Sequence, residues 1–322
     1  MKRLVPTLIS DGVSIEFIML IRTLLAATKE IAFRVSQGEL SGILGSTLDE
    51  NIQGETQKKL DVLSNQLIRD MLLDDVSVRT IASEEEDNVI AGTEGAPYIV
   101  AFDPLDGSSN IDINGQIGTI FTVYSARDDV PADSPLQFSQ PGKNQLCAGY
   151  VLYGPATLLV LTTGGPTRCY TLDLTHSGFL LTQDVLKVPE DTQEFAINMA
   201  NRRFWFDETV RYVDDLIAGE EGPLAKRYNM RWNAAMVGDL HRVLTRGGIF
   251  MYPSDSRNPK QPAKLRLLYE ANPMAMLLEQ AGGKAYADTT RILDIMPDEL
   301  HQRVPVQMGS VNEVEACLSY YK

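Results

Sequence analysis

The chain has 322 residues, of which 44% are hydrophobic, 22% charged and 7% aromatic, a globular composition long enough for two compact domains or one large one. Its 43 acidic against 29 basic residues give a formal net charge of −14. That balance speaks against nucleic acid and against an anionic membrane surface, both of which need basic footprints.

The N-terminal MKRLVPTLISDGVS carries two basic residues but no continuous apolar stretch of signal-peptide length, so secretion is not expected. Ile18, Ile21, Leu25 and Ala32 share one helical face and Gly38 follows, which predicts an amphipathic helix over 14–36 with a glycine stop. Residues 41–57, with three glycines, read as an exposed loop with Glu55 near its end, and 61–72 as a second helix with Asp61 at its start. A short strand ends at Ala82, before the acidic run Ser83-Glu84-Glu85-Glu86.

Tyr98–Phe102 reads as the next strand. Asp103 precedes Pro104, whose ring crowds the preceding residue into an extended conformation, so Asp103 is expected to end the strand. Residues 103–106 then turn tightly and aim both aspartates into one space, although a plain surface turn has the same composition. Residues 118–124 read as a strand and 127–144 as a polar loop. The uncharged run 144–167 has Gly154-Pro155 at its centre and many threonines, which suits two strands joined by a turn better than a membrane span.

A composition shift at 188–192 predicts a linker, dividing the chain into domains 1–188 and 189–322. Beyond it, strand-like 195–198, 248–252 and 265–270 alternate with helix-like 207–218 and 234–246, the pattern of strands covered by helices. Asn272-Pro273 reads as a capped helix start and Gly282-Gly283 as its end, placing Glu270 at a strand end. The class is therefore α/β, two domains each with a helix-covered sheet. Cys147, Cys169 and Cys317 are odd in number and form no CxxC pair, which suits a reducing cytoplasm without disulfides or zinc. His176, His241 and His301 lack ligand spacing and read as structural.

Seven acids thus fall at predicted element ends: Glu55, Asp61, Glu84, Glu85, Asp103, Asp106 and Glu270. Singly, each reads as solvated surface. Brought together they would repel, and a hard divalent cation, magnesium or manganese, would relieve the repulsion. Gly107-Ser108-Ser109-Asn110 is a glycine turn with hydroxyls whose backbone N–H groups suit a phosphate. It lacks the lysine of a nucleotide-binding P-loop. Hydrolysis of phosphate monoesters can require acceleration toward ~10²¹-fold, whereas one general base supplies ~10² to 10⁴, so metal ions must carry much of the rate.

These residues resemble the class I fructose-1,6-bisphosphatase family. GETQKKLDVLSN (54–65), SEEE (83–86), FDPLDGSSNID (102–112), GTIF (118–121), AGYVLYG (148–154), KLRLLYEANPMA (264–275), EQAGGKA (279–285) and RILDIMPDELHQR (291–303) occur in the family's order and span most of the chain. DPLDGSS alone is shared with broader lithium-sensitive sugar phosphatases; KLRLLYE and the C-terminal run point to the bisphosphatase branch. The resemblance implies a layered α/β/α/β/α sugar-phosphatase fold, usually a homotetramer, that splits fructose 1,6-bisphosphate into fructose 6-phosphate and phosphate. It implies magnesium ligands Glu55, Glu84, Asp103, Asp106, Glu270 and the Leu105 carbonyl, with Asp61 and Glu85 activating water. Gly107, Ser108 and Ser109 would hold the reacting 1-phosphate. Lys264 would contact the sugar, and Arg266 would lie near the reacting centre. Asn198 and Tyr252 match positions that grip the distal 6-phosphate, and Arg231 matches one that reaches a neighbouring subunit's site. Met236 joins the substrate group, although Met236 and Tyr252 have the apolar flanks of core residues and Arg266 could face solvent from a strand.

Two departures from the family pattern stand out. Its Thr-Gly-Glu segment for adenylate inhibition is Ser10-Asp-Gly-Val-Ser-Ile-Glu16 here, and a lysine and an arginine are replaced by Pro97 and Lys143, so weak or absent AMP inhibition is expected. Its Arg-Tyr-Val-Gly is Arg231-Trp232-Asn233-Ala234, which puts an indole in place of a tyrosine hydroxyl in the distal pocket. Sedoheptulose 1,7-bisphosphatase is the near alternative. An inositol-type monophosphatase and a metal-binding scaffold without chemistry are the distant ones.

Overall fold

The structure is a computed structural model that describes residues 2–42, 45–50 and 56–321. Eight strands form the larger sheet, in the spatial order Gly178–Gln183, Arg168–Asp173, Thr157–Thr162, Gln145–Tyr153, Ile117–Ser125, Tyr98–Asp106, Val78–Ser83 and Ile90–Ala91. Within this sheet, among the described residues, only Val78–Ser83 and Tyr98–Asp106 pair in parallel, with Ser83 beside Phe102. Their carboxyl ends therefore open at the same edge, where α/β sheets characteristically bind ligands. A second sheet runs Asn229–Met230, Glu194–Ala196, Ile249–Tyr252, Val306–Gly309, Lys284–Ala287, Thr290–Arg291.

Seven α-helices cover these sheets among the described residues: α1 (Leu4–Ser10), α2 (Ile15–Gln37), α3 (Lys59–Leu73), α4 (Asp207–Ala218), α5 (Met236–Arg246), α6 (Asn272–Gln280) and α7 (Val311–Leu318). The period-two alternation of strand side chains sorts the cores. On Gln145–Tyr153, Cys147, Val151 and Tyr153 pack on the side of α2 and α3, which contribute Ile21, Leu24, Leu60 and Ile68. The intervening Ala148, Tyr150 and Leu152 pack with Val237 and Leu240 of α5 and Leu277 of α6. That same core holds Phe250 and Met308 of the second sheet. Ile249 and Met251, on the opposite face, pack against Tyr212 of α4 and Val314 of α7. The layers are α/β/α/β/α, as the resemblance implied.

The helix read over 14–36 is α2, capped by Ser14, whose hydroxyl accepts from the Phe17 N–H at 3.2 Å, and closed by Gly38 at φ 51°. Four local expectations are corrected. Residues 41–57 are not all loop, because Ser46–Glu50 and Thr56–Lys58 pair as short strands. Asp103 does not end its strand in a turn: the strand continues to Asp106 through a register shift opposite Ile120 and Gly118, because a bulge absorbs Pro104, which cannot donate to a ladder. Residues 265–270 form a strand only at Leu265–Arg266, after which Leu267–Ala271 winds as a π-helix. Asn272 is consequently no cap, since the chain is already helical when α6 begins. Helix α1 has no counterpart in the periodicity reading, being too short to show a period. Among the described residues, no helix is long and apolar enough to cross a membrane. The three cysteines are free and buried, and each histidine has a tyrosine or aspartate partner.

Candidate active site

A cleft of about 240 Å³ opens at the shared edge of the parallel strand pair, between the two sheets. Asp103, Asp106 and Glu270 supply three buried carboxylates whose oxygens lie within 4.8 Å of one another. The strand bulge sends both aspartates into the cleft. The π-helical turn brings in Glu270, consistent with the tendency of such turns to mark functional sites. Burial is the main reason these groups resist ionising: it holds Asp103 well above the carboxylate range and pushes Asp106 and Glu270 up to about 7, with neighbouring acids adding to the shift. Three oxygen donors with suppressed charge and no sulfur or imidazole fit a hard divalent cation, which would displace protons on binding.

Fixed contacts orient each acid. Asp106 Oδ2 accepts the Val237 N–H at 2.8 Å, in the first turn of α5, where amide dipoles favour negative charge. Asp103 Oδ1 accepts the Leu105 N–H at 2.9 Å, and Leu105 itself lines the cleft. Glu270 Oε2 accepts the Arg266 N–H at 2.5 Å. Arg266 is buried, not solvent-facing, and its guanidinium lies 2.7 Å from Glu84 Oε1 and 3.8 Å from Glu270 Oε2.

Glu84 and Glu85 sit on the turn after Val78–Ser83. Asp61 faces them from the first turn of α3, with Oδ2 accepting the Lys58 N–H at 2.8 Å. Burial, then Glu85 and Glu84, push Asp61 up to about 8, against the Lys58 amide that pulls it down. A base in that range is poised for proton transfer near neutrality. The register between helix and turn is held by side chains that sequence reasoning missed: Ser83 Oγ donates to Asn65 Oδ1 at 2.7 Å, and Asn65 Nδ2 donates to Glu86 Oε1 at 2.8 Å.

Gly107, Ser108 and Ser109 line the cleft beside the acids and open the 3₁₀ turn Ser108–Ile113. Gly107 has φ 79°, and a Cβ there would come 2.4 Å from the Ala235 Cβ, so only glycine fits. Across the cleft stand Asn198, Trp232, Met236, Tyr252, Lys264 and Arg266. The Trp232 ring stacks on Phe250, with centroids 6.0 Å apart and planes 4° from parallel, and tilts against Tyr252 at 6.2 Å. Ala234, Ala235, Phe250 and Leu265 also line the wall, and none was singled out from the sequence as a site residue. Arg231 is exposed, bonds the Met230 carbonyl at 2.8 Å and does not line this cleft. Glu55 lies outside the described residues.

With this geometry in view, residues 9–184 match the family described as "Fructose-1-6-bisphosphatase, N-terminal domain", and residues 188–322 its C-terminal domain. A class 1 fructose-1,6-bisphosphatase of Cellvibrio japonicus is 74% identical over 320 residues, covering 99% of each chain. One of Pseudoalteromonas translucida is 64% identical over 323 residues, covering 100% of each. The crystal structure of Leishmania major fructose-1,6-bisphosphatase in its holo form superposes with a TM-score of 0.93 at 37% identity, covering 99% of this chain and 98% of that one.

Proposed function

The chain belongs to the fructose-1,6-bisphosphatase family, and we propose that its acidic cleft is where it releases phosphate from fructose 1,6-bisphosphate to leave fructose 6-phosphate. The observation that carries this reading is the convergence of Asp103, Asp106 and Glu270 beside the Gly107–Ser109 cradle in one cleft. The reaction is metal-dependent. We assign magnesium, with manganese as a substitute, to Asp103, Asp106, Glu270 and Glu84, with Glu55 and the Leu105 carbonyl completing the set. When bound, the cation supplies charge neutralisation and Lewis acidity at the phosphoryl group.

The chain's own residues do the rest. Gly107, Ser108 and Ser109 hold the reacting 1-phosphate. Asp61, with Oδ2 occupied by Lys58, takes the attacking water's proton at Oδ1, and Glu85 beside it orients that water. Arg266 balances Glu84 and Glu270 and brings positive charge toward the reacting centre. Lys264 faces the sugar, and Asn198, Met236, Trp232 and Tyr252 form the pocket for the distal phosphate. Arg231 serves a neighbouring subunit's pocket in a homotetramer, which accounts for its place outside its own cleft. In this reading residues 1–188 carry the cradle and the metal ligands other than Glu270, residues 189–322 carry Glu270 and the sugar side, and the enzyme works in the cytoplasm, in gluconeogenesis.

Phosphate release from a panel of fructose 1,6-bisphosphate, sedoheptulose 1,7-bisphosphate, fructose 1-phosphate and inositol 1-phosphate tests the reading. The fructose bisphosphate is expected to have the highest kcat/KM. Preference for either monophosphate would overturn the distal pocket, and preference for the seven-carbon bisphosphate would reassign the substrate.

A further inference from the structure

We infer that Asp239 and Asn233 form a clasp behind the cleft wall that positions Trp232 against the substrate, a role that rests on the reading of this cleft as the bisphosphate site. Asp239 is 1% exposed in the first turn of α5, and its Oδ1 accepts both the Asn233 main-chain N–H at 2.8 Å and Asn233 Nδ2 at 3.0 Å. From the other side, the Asn233 carbonyl accepts Asn110 Nδ2 at 2.8 Å, and the same amide bonds the Gln116 carbonyl at 3.1 Å. Residue 233 is thus pinned between α5 and the turn that carries the phosphate cradle. Neither Asn233 nor Asp239 lines the cleft, whereas the flanking Trp232 and Ala234 do.

The backbone shows why the clasp is needed. Ala234 has φ 59°, in the left-handed region that a side chain with a Cβ disfavours. Such a conformation persists only where surrounding contacts over-determine it. Downstream, the chain is fixed by the bond from Val237 N–H to Asp106; upstream, the fixing contacts are those of Asn233. Released from Asp239, residue 234 relaxes out of the left-handed region, and Trp232 is carried off its stack on Phe250. The metal side keeps its own contacts, since the bond from the Val237 N–H to Asp106 and that from the Leu105 N–H to Asp103 do not involve Asp239. Asp239 is a positioning residue: its loss acts on substrate binding more than on turnover.

The test compares Asp239→Ala, Asp239→Asn and Asn233→Ala with the parent, in magnesium with fructose 1,6-bisphosphate, and measures acrylamide quenching of tryptophan fluorescence alongside. Trp205 is buried, so quenching reports chiefly on Trp232. Asp239→Ala is expected to raise KM about tenfold, as loss of the two hydrogen bonds that hold Asn233 implies, with kcat nearly unchanged and quenching increased. Asp239→Asn keeps an acceptor at Oδ1 and is expected to restore both readouts. Asn233→Ala, at an exposed side chain, keeps the fold and loses only the Nδ2 bond, so its KM falls between; combined with Asp239→Ala it adds nothing further. KM and quenching at parental values in both alanine variants would overturn the clasp, and Asn233→Ala decides alone if Asp239→Ala does not fold. A parent inactive on the bisphosphate would instead overturn the reading of the cleft, and quenching would still test the clasp.

Discussion

Arg266 and Glu84, 182 positions apart in the sequence, meet at 2.7 Å across the cleft, both side chains at most 10% exposed. Breaking such a buried pair by removing one partner costs roughly 3 to 5 kcal/mol, because the remaining charge loses its compensation. Replacing Arg266 by methionine is therefore expected to lower the urea midpoint of the chelated protein strongly. Magnesium should recover part of that loss by neutralising Glu84 and Glu270 in the arginine's place. An unchanged midpoint in chelator would show that Arg266 does not hold the acids together.

Asp61 is assigned the water's proton. Asp61→Asn keeps an oxygen to accept the Lys58 N–H but removes the base. The expected loss is ~10² to 10⁴-fold in kcat with little change in KM. A variant within a few-fold of the parent at pH 7 would move the base elsewhere, with Glu85 the first candidate.

The raised carboxyls make a prediction about pH. Asp61, Asp106 and Glu270 titrate at about 8, 7 and 7 in the metal-free fold, against roughly 4 when unfolded. The folded state therefore holds extra protons, and its stability from these groups is complete below about pH 4 and lost as pH rises through 7 to 8. A cation takes the place of those protons. The rise in Tm on adding magnesium is expected to be larger at pH 8 than at pH 5, with proton release on titration in unbuffered solution. A rise that is equal at both values, or larger at pH 5, contradicts this.

Trp232 lies flat on Phe250, so a smaller ring fits the same stack. Trp232→Tyr would return a hydroxyl to the distal pocket, and a hydrogen bond to a charged group, about 1.5 to 3 kcal/mol, corresponds to a KM roughly 10- to 100-fold lower, with kcat unaffected. An unchanged KM would mean that the indole already meets the phosphate.

The acids were legible because each stands beside a punctuation mark: Asp103 and Asp106 around Pro104, Glu84 after a strand, Asp61 at a helix start. Local shape was less so. The tendency of proline to turn hid the bulge that carries the strand to Asp106, since bulges are fixed by the partner strand, here Ile117–Ser125. Likewise, KLRLLYE alternates like a strand, but Glu270 folds back to accept the Arg266 N–H four residues earlier, a local side-chain bond that accompanies the π-turn and that alternation alone does not reveal. Asn65 and Asp239 left no signal at all, because buried polar side chains that hold others in place have no characteristic spacing. Glu55 lies beyond what the structure describes.

The central claim is that the clustered carboxylates act through a divalent cation, and phosphate release after chelation and reloading measures it most directly. The parent, stripped of metal, is expected to release no phosphate from fructose 1,6-bisphosphate and to recover on adding magnesium or manganese. Asp106→Asn, which keeps the shape and the acceptor for Val237 but removes a charge, is expected to remain near the stripped level at the magnesium concentration that restores the parent. Full turnover by the metal-free parent, or parental turnover by Asp106→Asn, would contradict the account.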